Sequence, residues 1–320
     1  MSAAADGLAG AAGAVIATVV TYPLNTISTV QAVTGDRPSN NYNNGSKSKL
    51  QILLEEIRQI IDERGLKGLY NGIRPAIIGA ALSQGVYFFF YSALRDLLLL
   101  HSKSPEPQSS ISLPSTPSLG VGASLAVASM AGSINVILTN PIWILATRMQ
   151  AGPKSAGRQS VFGAVRELYR SEGSKWIFKG LVPALVMVSN PTVQYTIYEW
   201  LMKRIQKNSL KRKQSKKTAA TAAEIFLASA AAKIGATLVT YPLLLIKNRL
   251  QVGGHSGDEK FRYEGTIDAA RCIFREEGFF GFYKGMGARM LASVLAAALL
   301  LMIKEKLAEE AKAILSLKKS

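Results

Sequence analysis

Cysteine is all but absent: Cys272 stands alone in 320 residues, which excludes a disulfide framework and a cysteine zinc site. Histidine is nearly as scarce. His101 and His255 are too few for a histidine-based metal site, and neither they nor Cys272 has evident acid-base company. The sequence therefore offers no catalytic residue, no metal site and no resident cofactor. No basic stretch precedes the first apolar segment, and Asp6 sits where a transit peptide stays free of acid, so a cleaved targeting peptide is not expected. The ending Lys318-Lys319-Ser320 is not a Ser-Lys-Leu address. Acids are also under-represented, with 21 Asp and Glu against 38 Lys and Arg.

The resulting charge of +17 suits nucleic acid, anionic lipid head groups, or an electropositive cavity for an anionic solute. A hydrophobic content of 48% and a mean hydropathy of +0.16 argue against nucleic acid as a partner. Long clean runs of Leu and Ile are missing too, a pattern of helices that face lipid on one side and water on the other. Gly7 to Thr34, Leu119 to Thr147 and Glu224 to Ile246 are long apolar stretches, the first two without charge. Three more alternate with them, at roughly Pro75 to Leu100, Leu181 to Met202 and Met290 to Ile303. The expected fold is an all-α membrane protein of six spans.

The spans repeat. Thr-Tyr-Pro-Leu at Pro23, Thr-Asn-Pro-Ile at Pro141 and Thr-Tyr-Pro-Leu at Pro242 each interrupt an odd-numbered span. An amphipathic segment follows each time, then an aromatic-x-Gly element: Tyr70-Asn71-Gly72, Phe178-Lys179-Gly180 and Tyr283-Lys284-Gly285. Proline in a membrane helix frees a carbonyl and kinks the axis, so three equivalent kinks can close one end of a bundle. The chain divides into repeat one, 1–101; a linker, 102–118; repeat two, 119–206; a basic linker, 207–218; and repeat three, 219–320. Both linkers read as disordered and exposed. Gly7, Gly10, Gly13, Gly132 and Gly235 read as packing residues that let helices approach.

Pro242 with Lys247, Arg249, Glu277-Gly278 and Tyr283-Lys284-Gly285, and Pro141 with Arg148, Glu172-Gly173 and Phe178-Lys179-Gly180, resemble the threefold signature of the mitochondrial carrier family over essentially the whole chain. That resemblance implies pairing of Arg148 with Glu172 and of Arg249 with Glu277. In repeat one both partners are lost together, as Val30 and Arg64, which leaves no unpaired buried charge. The family's inner gate pairs acids with bases of the next repeat. Here the acid positions hold Asn25, Trp143 and Leu244 and the base positions Ser28, Ala146 and Lys247, so no acid-base pair can form. A cation-π contact of Trp143 with Lys247, worth about 0.5 to 2 kcal/mol, is the expected substitute in a weakly latched gate. At the outer gate the resemblance implies one cross-helix pair, Arg95 with Glu199, with Lys304 at the third position.

Within the family, the chain resembles peroxisomal carriers of nucleotides and cofactors, on Gly85-Val-Tyr-Phe-Phe-Phe-Tyr91 and Asn190-Pro191-x-x-Gln194-Tyr195. The resemblance implies alternating-access antiport of NAD, AMP, ADP or CoA, with ATP/ADP/AMP exchange or FAD and folate transport as alternatives. A degenerate carrier acting as a scaffold is the non-transport alternative. It places the chain in the peroxisomal membrane, or alternatively the mitochondrial inner membrane, as a monomer among membrane lipids. Lipid head groups are implied at Gly72, Gly180 and Gly285, where the free amides of helix starts attract anions.

For a phosphate-bearing solute, Lys233 is the foremost candidate, since a cation inside a span costs about 2.5 to 3.5 kcal/mol and is rarely idle. Arg289 and Arg74 enter spans as further clamps, with interfacial anchoring as their plain alternative. Gly79, Met187 with Val188, and Ala292 stand at the family's contact positions and leave room for a bulky ligand. Core packing is the plain alternative for Gly79 and Ala292. Gln84, Asn190 and Gln194 offer hydrogen bonds to amide or adenine edges.

Overall fold

The computed structural model describes residues 3–33, 58, 61–62, 65–101, 121–151, 160–211, 222–253, 263–296 and 299. The odd helices are α1 (Ala3–Val33), α3 (Val121–Ala151) and α7 (Ala222–Val252), each of 31 residues and each with its proline inside. At 1.5 Å per residue each is about 46 Å long, more than the ~30 Å of a hydrocarbon core. The even spans are α2 (Ile73–His101), the pair α5 (Leu181–Val186) and α6 (Asn190–Lys211) joined through a 3-10 turn at Met187–Ser189, and α9 (Met286–Ala296). Amphipathic α4 (Val161–Glu172) and α8 (Thr266–Gly281) connect odd to even in repeats two and three. Among the described residues there is no strand. Leu66–Leu100, Gly122–Ala151, Val161–Lys207 and Glu224–Val252 are long and apolar enough to cross a bilayer. α6 runs on to Lys211, into the segment expected to be a disordered linker. The linker 102–118, the rest of the basic linker, the outer-gate residue Lys304 and most of repeat one's surface segment lie outside the described residues.

The apolar surface is turned outward. Phe88, Phe89, Leu97, Met130, Leu138, Phe226 and Leu227 are exposed, the placement lipid favours, while Ala228, Ala232 and Ala236 line a buried stripe of α7. Burial concentrates where the odd helices end. α1, α3 and α7 touch one another pairwise. Val33, Ala151 and Val252, each ten residues past its helix's proline, meet in one apolar cluster.

Closure into a ring depends on three glycines. Gly72, Gly180 and Gly285 open the even spans at φ of 77°, 67° and 81°, a region that side chains with a Cβ avoid. A Cβ on Gly72 would lie 2.7 Å from the Ala146 carbonyl oxygen, one on Gly180 3.1 Å from that of Lys247, and one on Gly285 2.5 Å from that of Ser28. Each even span thus enters against the odd helix of the next repeat, third against first, and the spans enclose a common axis.

Candidate functional site

The residue before each proline ties odd helix to even span. Tyr22 donates to the Asn71 carbonyl (3.1 Å), Asn140 to those of Ile177 (2.7 Å) and Lys179 (3.3 Å), and Tyr241 to that of Lys284 (2.7 Å). The Tyr22 and Tyr70 rings stack, as do those of Tyr241 and Tyr283. The residue nine past each proline then reaches the preceding repeat. Gln150 donates to the Tyr22 hydroxyl (2.7 Å), Gln251 binds Thr147 (2.9 Å) and Asn140 (3.4 Å), and Ala32 packs under Tyr241.

Both inner ion pairs implied by the family resemblance form. Arg249 meets Glu277 at 2.7 and 2.9 Å, and Arg148 meets Glu172 at 2.9 and 3.1 Å. Each carboxylate also binds the lysine of its aromatic-Lys-Gly element, Lys284 at 2.9 Å and Lys179 at 2.8 Å. These pairs lie within repeats and orient the arginines, whose Nε atoms span the seams. Arg148 donates to the Gln251 carbonyl (2.6 Å) and Arg249 to that of Ala32 (2.8 Å). Lys179 adds a bond to Gly253 (3.0 Å). The seam between repeats one and two has no arginine in this place, because Val30 stands there. Burial pushes the Tyr263 phenol above its usual range, although the adjacent Arg249 charge pulls the other way.

Above this plug lies a floor with unusual charge. Of the six inner-gate positions, only Lys247 is ionisable. Ser28 is buried and donates to the Gly285 carbonyl (2.9 Å), Ala146 is buried, and Leu244 packs on the α7 cluster. Arg289 stands four residues past Gly285, where the other repeats have buried Ala76 and Ala184. It is exposed, and its Nη1 crosses to Asn25 Oδ1 of α1 at 2.9 Å. The guanidinium of α9 thereby ties to α1. Among the described residues, neither Lys247 nor Arg289 pairs with a carboxylate.

Trp143 departs from expectation. It does not lie over Lys247; its ring packs against Gly79 of α2 and its indole donates to Ser83 Oγ at 3.2 Å. Gly79 leaves space for the ring and Ser83 supplies the acceptor that a half-buried indole N–H needs. Arg95 and Glu199 do not pair in this conformation either. Glu199 takes Lys203, one turn along its own helix, at 3.5 Å. The structure is closed at the inner end.

The remaining candidates separate. Lys233 is exposed and lies on one stripe of α7 with Thr240 and Lys247, at seven-residue spacing, about 10.5 Å apart along the axis. Arg74 is exposed, at a position where repeat two has the exposed Val182, as suits an interfacial anchor. A Cβ on Gly79 would meet Ile142 at 3.1 Å and Trp143 at 3.5 Å, and Ala292 is buried. Val188 fills the space over Gly132, beside the half-buried Met187. Asn190 is committed to Thr240 (2.8 Å), a bond between α6 and α7. Gln194 is half-buried and Gln84 exposed. Sequence reasoning missed Tyr22, Asn140, Tyr241, Gln150, Gln251, Lys179 and Lys284 as a set. Their signal was available, since each holds a fixed offset from a motif proline or glycine.

A threefold ring of helices, each odd one with its proline inside, closed at one end over a cationic floor, is the architecture of a membrane carrier. The chain belongs to the mitochondrial carrier family: the profile described as "Mitochondrial carrier protein" matches residues 1–102, 117–209 and 218–312, one segment per repeat. It is 39% identical to the peroxisomal nicotinamide adenine dinucleotide carrier of Arabidopsis thaliana, over 97% of both chains. It is 31% identical to the chloroplastic nicotinamide adenine dinucleotide transporter 1 of that plant, over 90% of this chain and 86% of the relative. It is 29% identical to the peroxisomal membrane protein PMP34 of Mus musculus, over 85% and 84% respectively. The protein is a transporter rather than an enzyme.

Proposed function

We propose that this chain exchanges NAD or related adenine-containing cofactors, AMP, ADP and CoA among them, across the peroxisomal membrane by alternating access. The observation that carries the reading is that the inner-gate level holds Lys247 of α7 and that Arg289 of α9 crosses to Asn25 of α1 (2.9 Å), with neither cation paired to a carboxylate among the described residues. A phosphate group is the natural counter-charge, and a guanidinium binds it through two parallel N–H bonds. Lys233, higher on the same stripe, extends the cationic wall. The names of the relatives support both the solute class and the organelle.

Transport requires the inner end to open. The bonds that must break are those between repeats: Arg148 and Lys179 to the end of α7, Arg249 to α1, Arg289 to Asn25, Ser28 to Gly285, Gln150 to Tyr22 and Gln251 to α3. The pairs with Glu172 and Glu277 stay inside their repeats and travel with them. A solute shifts this equilibrium only by its differential affinity for the two states. Purified protein in liposomes preloaded with NAD, AMP, ADP or CoA is expected to exchange labelled NAD or AMP. Absence of exchange with all four overturns the proposal.

A further inference from the structure

We propose that the outer end of α6 is a docking surface for anionic phospholipid head groups, with Trp200 at the lipid boundary and Lys203, Arg204 and Lys207 above it reaching the phosphates. The surface lies at the opposite end of the ring from Gly72, Gly180 and Gly285, and it depends on neither the solute nor the inner gate.

The even span of repeat two fixes its own depth in a bilayer. From Gly180 to Tyr198 it contains no Asp, Glu, Lys or Arg, and Lys179, just before that stretch, is tied to Glu172 at the inner end. Trp200 stands nineteen residues after Leu181, about 28 Å along a helix and so about one hydrocarbon thickness away. It is 53% exposed, at the level where indoles collect between acyl chains and head groups. Arg204 lies over the indole, 4.5 Å from the ring centroid, which holds a guanidinium at the boundary. Thr196, Trp200, Lys203, Arg204 and Lys207 share one stripe of the helix and are all exposed, while the half-buried Leu201, Met202 and Ile205 take the other side.

The charge on this stripe is one-sided. From Trp200 to Lys217 the sequence has eight Lys and Arg and no acid; those after Lys211 lie outside the described residues. Lys203 has Glu199 at 3.5 Å, an exposed pair of the kind that contributes little. Among the described residues Arg204 and Lys207 pair with no carboxylate, whereas Lys179 and Lys284 at the inner end are both paired. The helix dipole does not account for the run, because it acts within the last turn and Lys203 and Arg204 precede that turn. An anionic leaflet does. Each base near such a surface favours it by about fivefold, and the attraction decays within a Debye length of about 8 to 10 Å. Lys203 and Lys207 stand ~4.5 and ~10.5 Å beyond Trp200 along the axis, at the depth of that layer. An acidic protein segment offers the same charge but not the apolar layer that the exposed Trp200 requires.

The test offers the detergent-purified full chain phosphatidylserine and phosphatidylcholine at equal concentration and counts retained lipid by native mass spectrometry. Phosphatidylserine is expected to be retained roughly fivefold or more over phosphatidylcholine, and to raise the melting temperature in nanodiscs, with both effects shrinking as salt rises. Arg204→Gln with Lys207→Gln is expected to lower phosphatidylserine retention by roughly fivefold or more. The same variant is expected to melt with the parent in pure phosphatidylcholine nanodiscs, which separates lost docking from lost folding. The charge-keeping Arg204→Lys with Lys207→Arg is expected to keep the preference. A further readout needs no basic-residue variant: phosphatidylserine with brominated acyl chains is expected to quench Trp200, read as the emission lost in Trp200→Phe, more than brominated phosphatidylcholine does. Glycerophosphoserine, the head group without acyl chains, is expected to leave the melting temperature unchanged, which separates a lipid surface from free phosphate. Equal retention or equal quenching by the two lipids overturns the proposal and leaves the stripe to an acidic protein. Full retention in Arg204→Gln with Lys207→Gln, or glycerophosphoserine acting as well as the lipid, overturns it too.

Discussion

Glu277 holds two bases at once, and its removal isolates what a buried acid contributes to the inner end. Its side chain is 6% exposed; it faces Arg249, 1% exposed, at 2.7 and 2.9 Å, and Lys284, 36% exposed, at 2.9 Å. In Glu277→Ala, Lys284 can turn to water at little cost, but Arg249 cannot. It keeps its Nε bond to Ala32 and loses its counter-charge in a place that water does not reach. Breaking such a pair from one side costs about 3 to 5 kcal/mol. Replacing both members, as in Arg249→Leu with Glu277→Leu, removes the stranded charge and is expected to cost less than the single change. The assay is thermal unfolding of purified protein in detergent across the double-mutant cycle, with the single variant falling by about 6 to 10 °C. A single variant within about 1 kcal/mol of the parent, or a double variant less stable than Glu277→Ala, refutes the view that Glu277 acts by compensating a buried arginine.

Glu172→Ala is expected to cost less than Glu277→Ala, because Glu172 and Arg148 are more exposed, 14% and 7%, and Arg148 Nη1 already lacks a partner among the described residues; paired melting curves check the order. Gly285→Ala is expected to block inner closure and abolish exchange, since its Cβ would sit 2.5 Å from the Ser28 carbonyl at φ 81°. Gly65→Ala, with nothing within 4 Å of its Cβ, is expected to cost only the roughly 1 to 3 kcal/mol of a backbone conformation (φ 71°, ψ 171°) that favours glycine, and exchange rates compare the two. Tyr22→Phe removes the hydroxyl that joins Gln150 to Asn71 and is expected to destabilise the closed inner end by about 1 kcal/mol. Lys233→Ala is expected to raise the half-saturating concentration for AMP more than that for adenosine, and equal changes refute a phosphate role.

Composition and spacing alone carried the architecture. Three prolines with matching flanks, six apolar stretches and three aromatic-x-Gly elements required helices that kink alike and repeat around an axis. Val30 and Arg64 stand in repeat one where the other repeats have an arginine and an acid, so that ion pair is missing there from the sequence itself. The scarcity of cysteine and histidine left the chain without the groups that covalent chemistry needs. Such properties are local or additive, so they survive in a string of letters.

Which groups meet across the ring was decided only by the tertiary structure. Trp143 and Lys247 stand at partner positions in sequence, yet the indole turned to Ser83 because Gly79 left room beside it. Glu199 took Lys203, one turn along its own helix, rather than Arg95. Gly79 came to face Ile142 and Trp143, Ala292 was buried, and Asn190 became a tie between helices. Arg289, by contrast, reached the gate from a position where the other repeats have alanine. Helix rotation sets these partners, and it depends on contacts between residues far apart in the chain.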